Sequence, residues 1–173
     1  MTVRVRVADI SDASALAELA TRLFQETFGP DNTIEDMRDY LASAFTPQAQ
    51  AVELAERARA VWIVEDDHGT SLGYAMLLRD STGIGVTGER PAEIERIYVD
   101  RKLHGQGVGA MLMNTCIEQA RGWKCDVIWL AVWERNPRAI AFYEKSGFTK
   151  VGEKDFKLGS DTQHDHVMAR PLH

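Results

Sequence analysis

The chain has 173 residues, enough for one domain with a sizeable core. Hydrophobic residues make up 45% and charged residues 27%, ordinary globular usage, and a formal net charge of -6 argues against non-specific nucleic-acid binding while favouring cationic partners. The longest apolar run, Val127–Trp133, is strand-sized, and the opening MTVRVRVADI lacks the apolar stretch of a signal peptide, so a cytoplasmic protein without a membrane segment is expected.

Residues 3–8 alternate at period two and predict a strand. A helix follows within 9–28, with Asp9 or Ser11 capping its first turn and Leu16, Leu19, Leu23 and Thr27 on one face. GPDN at 29–32 breaks it. Shorter helices fit 33–45 and 47–58, the second with Pro47 near its first turn. Strands at 60–66 and 71–80 flank a DHGT turn, and a loop covers 82–91. A strand at 92–99 leads through a glycine loop to a helix ending near 122, then to a buried strand at 127–133. A helix at 136–147 and strands at 149–159 and 163–170 close the chain. The order is mixed α/β, and 92–133 forms a βαβ unit whose two strands should be parallel and buried. With no repeat or linker, a single domain over 1–173 is expected.

The loop is His104-Gly105-Gln106-Gly107-Val108-Gly109. Glycine lets a ligand approach the backbone, and the first N–H groups of a helix lack intrahelical partners. With the helix dipole behind them, those donors make an anion site. A nucleotide P-loop is excluded, because no Lys–Ser/Thr pair follows. A dinucleotide fingerprint fits poorly: the spacing is G-x-G-x-G, and Asp126 begins the next strand instead of ending it. A connector without ligand is the bland alternative, but each glycine in the helix's first turn then costs about 1 kcal/mol relative to alanine.

The loop resembles the pyrophosphate loop of the GNAT N-acetyltransferase superfamily, [QR]-x-x-G-x-[GA], with His104 in place of the usual Gln or Arg. NPRAIAFYEKSGF, 136–148, resembles that superfamily's N-x-x-A-x-x-F-Y-x-x-x-G-F signature at every fixed position. The segments DMRDYLASAF, EIERIYV and FKLGSDTQHDHVMA are similar to the bacterial spermidine/spermine N-acetyltransferase branch. The resemblance implies a mixed central sheet, flanked by helices, with a V-shaped split between the strands at 92–99 and 127–133. It implies acetyl-CoA as co-substrate, no metal, and a small cationic amine such as a polyamine as acceptor; a homodimer is compatible with it. A protein or peptide amine, or an amine-bearing antibiotic or toxin, is the alternative acceptor. A non-catalytic acyl-CoA sensor is the alternative from another class.

The resemblance assigns Glu95 as general base, since an amine of pKa about 10.4 must lose a proton before it attacks a thioester. Glu93 shares its face in a regular strand, so the choice between them stays open. Tyr143 is the implied general acid toward the leaving thiolate; otherwise it packs beside Phe142 on an amphipathic helix. Asn136 reads independently as a helix N-cap before Pro137, and the resemblance adds a contact with the pantetheine arm. The resemblance further implies that main-chain groups of Ile97, Tyr98 and Val99 pair with that arm, and that His104, Gly105, Gln106, Gly107, Val108, Gly109 and Ala110 hold the phosphates. Lys145 is the strongest cation for the coenzyme phosphates, ahead of Arg101, Lys102 and Arg138. Asp31, Glu35, Asp36 and Asp39 form an acidic cluster; they read as solvated surface or as part of an acceptor roof. His164 and His166 lack a third ligand and read as an exposed strand face. Cys116 reads as a small core residue.

Overall fold

The computed structural model describes the whole chain, Met1–His173. The apolar runs become strands β1 (Val3–Val7), β2 (Arg59–Asp66), β3 (Ser71–Arg79), β4 (Pro91–Val99), β5 (Val127–Trp133), β6 (Thr149–Leu158) and β7 (Asp161–Pro171). The 3.6-period segments become α1 (Ala13–Phe28), α2 (Ile34–Ala44), α3 (Pro47–Ala55), α4 (Val108–Gly122) and α5 (Pro137–Lys145). One seven-stranded mixed sheet results, ordered β1-β2-β3-β4-β5-β7-β6.

Both faces of the sheet are packed. Ala92 and Ile94 of β4 and Ile128 and Leu130 of β5 meet Leu112, Met113 and Cys116 of α4 and Tyr143 of α5. On the other face Ile63, Tyr74 and Met76 meet Leu16, Leu19, Leu23 and Phe24 of α1 and Met37 of α2. Each fully buried leucine contributes about 1.5–3 kcal/mol relative to an exposed one, so the α1 stripe is a main source of stability.

Helix starts follow local chemistry, with one departure from expectation. Asp9 caps a 3-10 turn, Ile10–Asp12, that precedes α1, while Asp12 returns a carboxylate to the Asp9 N–H at 2.9 Å. The helix predicted over 47–58 ends at Ala55, because Glu56 turns to extended backbone.

The strands β4 and β5 are parallel, but their ladder covers only Pro91↔Val127, Ala92↔Ile128 and Glu93↔Trp129. Beyond Glu93 they diverge, leaving alternate main-chain groups of β4 facing an opening instead of a neighbour. A bulge sharpens the split: Arg96 pairs with Met76 and Ile94 with Leu77, so Glu95 has no partner on β3.

The loop between β3 and β4 covers the closed end of the split. Trp129 Nε1 donates to Ser81 O at 2.7 Å. Gly85 lies so close to β6 that a Cβ there would sit 2.1 Å from Val151 O.

Candidate active site

A cavity of about 1190 Å³ lies at the split and is lined by residues from both faces of the sheet. Its α4 side begins with the glycine loop. Gly105 and Gly107 have φ of +77° and +82°, in the left-handed region, with no heavy atom within 4 Å of a built Cβ. Gly107 is the N-cap of α4 and supplies no side-chain cap, so the first N–H groups of the helix are left to a ligand. Gly105, Gly107, Gly109 and Ala110 line the cavity. Gln106 and Val108 do not: Gln106 Nε2 donates to Lys102 O at 2.7 Å, and Val108 is buried in the core. Only their main chain is available to the loop's ligand.

His104 has a defined place. Its Nε2 lies 2.8 Å from Val99 O, at the end of β4, and its Nδ1 lies 2.6 Å from Arg138 Nη1 on α5. An arginine only donates, so Nδ1 accepts and Nε2–H donates to the carbonyl. The ring thus ties Arg138 across the mouth of the loop. Lys145 is exposed on the same helix and lines the cavity. Arg101 lines it too, but its guanidinium donates to Glu26 O at the C-terminal end of α1.

Asn136 caps α5, accepting from the Ala139 N–H at 3.3 Å, and it lines the cavity as well. Pro137 occupies the first helical position, and the cap fixes where α5 begins. That start delivers Tyr143 to the cavity wall. Tyr143 is 9% exposed, with Phe148 and Phe142 packed around its ring. Burial pushes its phenol above the ordinary range, so it carries its proton at neutral pH. Ile97, Tyr98 and Val99 line the cavity where β4 has left β5.

On the α1 side the cavity meets Glu93 and Glu95. Glu95 is held by Arg59 through two bonds, 2.7 and 3.0 Å, and Arg59 also pairs with Glu56. Glu93 has one partner, Ser81 Oγ at 2.6 Å, and burial raises its proton affinity against that bond. Glu93 thus joins a raised proton affinity to a single hydrogen-bond partner, the chemistry of a group able to accept a proton. The roof is aromatic: Phe24, Phe28, Tyr40 and Phe45, with Tyr98, Trp133 and Phe156 rising from the sheet.

The acidic cluster of the early helices does not line this cavity. Asp36 is buried and accepts from Ser160 N and Ser160 Oγ, both at 2.8 Å, which pins α2 to the β6–β7 turn. The cavity's fourth carboxylate besides Glu26, Glu93 and Glu95 is Asp165. Sequence reasoning missed it, because HDH drew attention to its histidines. The alternation of β7, with Gln163, Asp165, Val167 and Ala169 on one face, was the available signal. His164 instead pairs with Asp155 at 2.7 Å on the exposed face. Asp126 accepts from the Glu89 and Arg90 N–H groups and anchors the loop before β4. Cys116 is fully buried.

A mixed sheet split between two parallel strands, with a glycine loop opening a helix at the split, defines an acetyltransferase architecture. The chain belongs to the acetyltransferase (GNAT) family, whose model matches residues 15–148. An uncharacterized N-acetyltransferase of Lactobacillus delbrueckii subsp. lactis is 31% identical over 170 residues, covering 97% of this chain and 98% of that one. The spermine/spermidine N(1)-acetyltransferase of Bacillus subtilis is 34% identical over 64 residues, 36% of this chain and 42% of that protein. The crystal structure of PaiA N-acetyltransferase from Thermoplasma acidophilum in complex with coenzyme A shares the fold, with a TM-score of 0.79 at 18% identity over 99% of both chains. No helix of this chain is long and apolar enough to cross a membrane.

Proposed function

We propose that residues 1–173 form a single cytoplasmic enzyme domain that transfers an acetyl group from acetyl-CoA to the primary amine of a small cationic acceptor such as a polyamine. The observation that carries this reading is the cavity lined from both faces of the sheet. Its α4 side offers uncapped amides, an open glycine backbone, Arg138 and Lys145, which suit a phosphate-bearing arm. Its α1 side offers carboxylates and aromatic faces, which suit a cation. The partial likeness to the Bacillus subtilis spermine/spermidine enzyme agrees with a polyamine acceptor.

Acetyl-CoA supplies an activated thioester when bound. The free amides of the loop hold its phosphates, and unpaired main-chain groups of Ile97, Tyr98 and Val99 pair with its amides as an added strand would. A β4 N–H directed into the split stabilises charge on the carbonyl oxygen. Glu93, in direct contact or through one water, takes the proton that frees the acceptor's lone pair. The amine nitrogen bonds to the carbonyl carbon and the carbon–sulfur bond breaks. Tyr143 then donates its phenolic proton to the departing sulfur, and the second proton shed by the acylated nitrogen passes through water to restore the phenol.

Direct attack requires both substrates together. Initial rates of thiol release, with acetyl-CoA and spermidine varied in turn, should give intersecting reciprocal plots. Parallel plots would mean a covalent acetyl-enzyme, and absence of amine-dependent thiol release would remove the activity.

A further inference from the structure

Asp165 is 8% exposed, lines the cavity, and has no hydrogen-bond or ion-pair partner in the protein. Lys154 faces it in register from β6 but lies beyond salt-bridge distance. Two residues away on the same face of β7, Gln163 is 5% exposed and its Oε1 is a buried acceptor without a partner. The orientation of that amide is fixed, because Nε2 donates to Asn32 Oδ1 at 2.6 Å and to Asp161 Oδ2 at 3.1 Å. One patch of wall thus carries a carboxylate with no protein partner and a buried amide oxygen without a donor.

The patch is ringed by aromatic faces. Asp165 pairs in register with Trp133, whose ring lies 5.8 Å from that of Phe28. Gln163 pairs with Phe156, whose ring lies 5.5 Å from that of Tyr40. A carboxylate and an amide oxygen among π faces make a receptor for an ammonium group, which has only donors and is attracted to aromatic faces. Glu93 marks the reacting end of the cleft. It pairs with Trp129, four residues before Trp133 on β5, so the two carboxylate levels are separated by ~13 Å along the strand.

We propose that Asp165, with Gln163 Oε1 and the surrounding rings, is the specificity site for a second cationic nitrogen, so that the acceptor is a diamine or polyamine acetylated at the end remote from Asp165. This rests on the acetyltransferase reading above and narrows its acceptor. The test compares butylamine and pentylamine with putrescine, cadaverine and spermidine, and adds phenethylamine as an aromatic monoamine. Thiol release by the wild-type protein should favour the diamines and spermidine over the monoamines in kcat/KM. Asp165→Asn keeps the shape and should raise KM for them by roughly 30-fold or more, with kcat largely kept and the preference erased. A Gln163→Leu variant, which removes the second acceptor, should act in the same direction. Circular dichroism and acetyl-CoA affinity would establish that each variant is folded. Equal use of monoamines, a preference for phenethylamine, or a diamine preference that survives in folded Asp165→Asn would overturn the inference and leave the acetyltransferase reading intact. Turnover of no amine at all, with acetyl-CoA still bound, would overturn both.

Discussion

Arg59 holds Glu95 in a two-pronged ion pair, Nε to Oε2 at 2.7 Å and Nη2 to Oε1 at 3.0 Å. Each oxygen of this carboxylate is thereby engaged by the guanidinium, a charge-assisted two-point contact. Glu93 has one serine donor and a raised proton affinity, and the proposed mechanism gives it the proton transfer. Glu93→Gln should therefore lower kcat/KM most at neutral pH, with part of the loss recovered at high pH where free amine accumulates. Glu95→Gln should act mainly on stability or acceptor KM. An equal pH profile for both variants would contradict the division of labour.

The same shift has a stability consequence. The folded protein holds the Glu93 proton more tightly than the unfolded chain does. Ionising Glu93 therefore costs stability, and the cost grows as pH rises from the unfolded value of about 4.3 through the raised folded value. Glu93→Gln should gain melting temperature relative to wild type at pH 8 but not at pH 4. Thermal scans at the two pH values check this, and a gain confined to pH 4 would contradict it.

Much of this arrangement was legible in the sequence. The strands and helices follow period-two and period-3.6 patterning, whereas the split was implied by the family resemblance and not by the βαβ unit itself. The Glu93–Glu95 choice was not legible. A regular strand puts both on one face with equal standing, whereas the bulge at Glu95 and the pairing to Arg59, 36 residues away, separate them. Asp165 was hidden for a related reason. Its burial depends on β7 lying between β5 and β6, a strand order that alternation alone does not specify. Of the early acidic cluster, Asp31, Glu35 and Asp39 are exposed, in line with the solvated-surface reading, while the turn at Ser160 satisfies a buried Asp36.

Tyr143→Phe keeps the ring and its packing against Phe148, so stability should change little. On the proposed mechanism the departing sulfur then loses its donor, and a positioned general acid is worth about 100-fold in kcat. Acetyl-CoA affinity should remain near wild type, because the interaction strengthens only in the transition state. Unchanged kcat under conditions where chemistry limits turnover would leave Tyr143 as a packing residue.

His104 and Arg138 should behave as one unit. Arg138→Ala should weaken acetyl-CoA binding roughly tenfold through a lost charge-assisted contact. His104→Ala releases the guanidinium from its tether and should weaken binding by a smaller factor. The double variant should be no worse than Arg138→Ala alone, since residues acting through one contact are not additive. Calorimetry that finds the two effects fully additive would contradict the coupling.

Gly109 differs from its neighbours in the loop. A Cβ there would meet Phe142 Cζ at an ordinary 3.5 Å. Gly109→Ala should thus gain up to about 1 kcal/mol of helix propensity, raising the melting temperature by about 2–4 °C. A fall in melting temperature would show that α4 and α5 pack too closely for a methyl group.

The most direct test of the central claim is mass spectrometry of the amine after incubation with acetyl-CoA and the protein, run beside an assay of released thiol. One acetyl group on the amine nitrogen for each thiol released, with the rate sharply reduced in both Glu93→Gln and Tyr143→Phe, is the predicted result. Acetyl-CoA binding without acetylated amine, or acetylation that proceeds unchanged in both variants, would contradict the account.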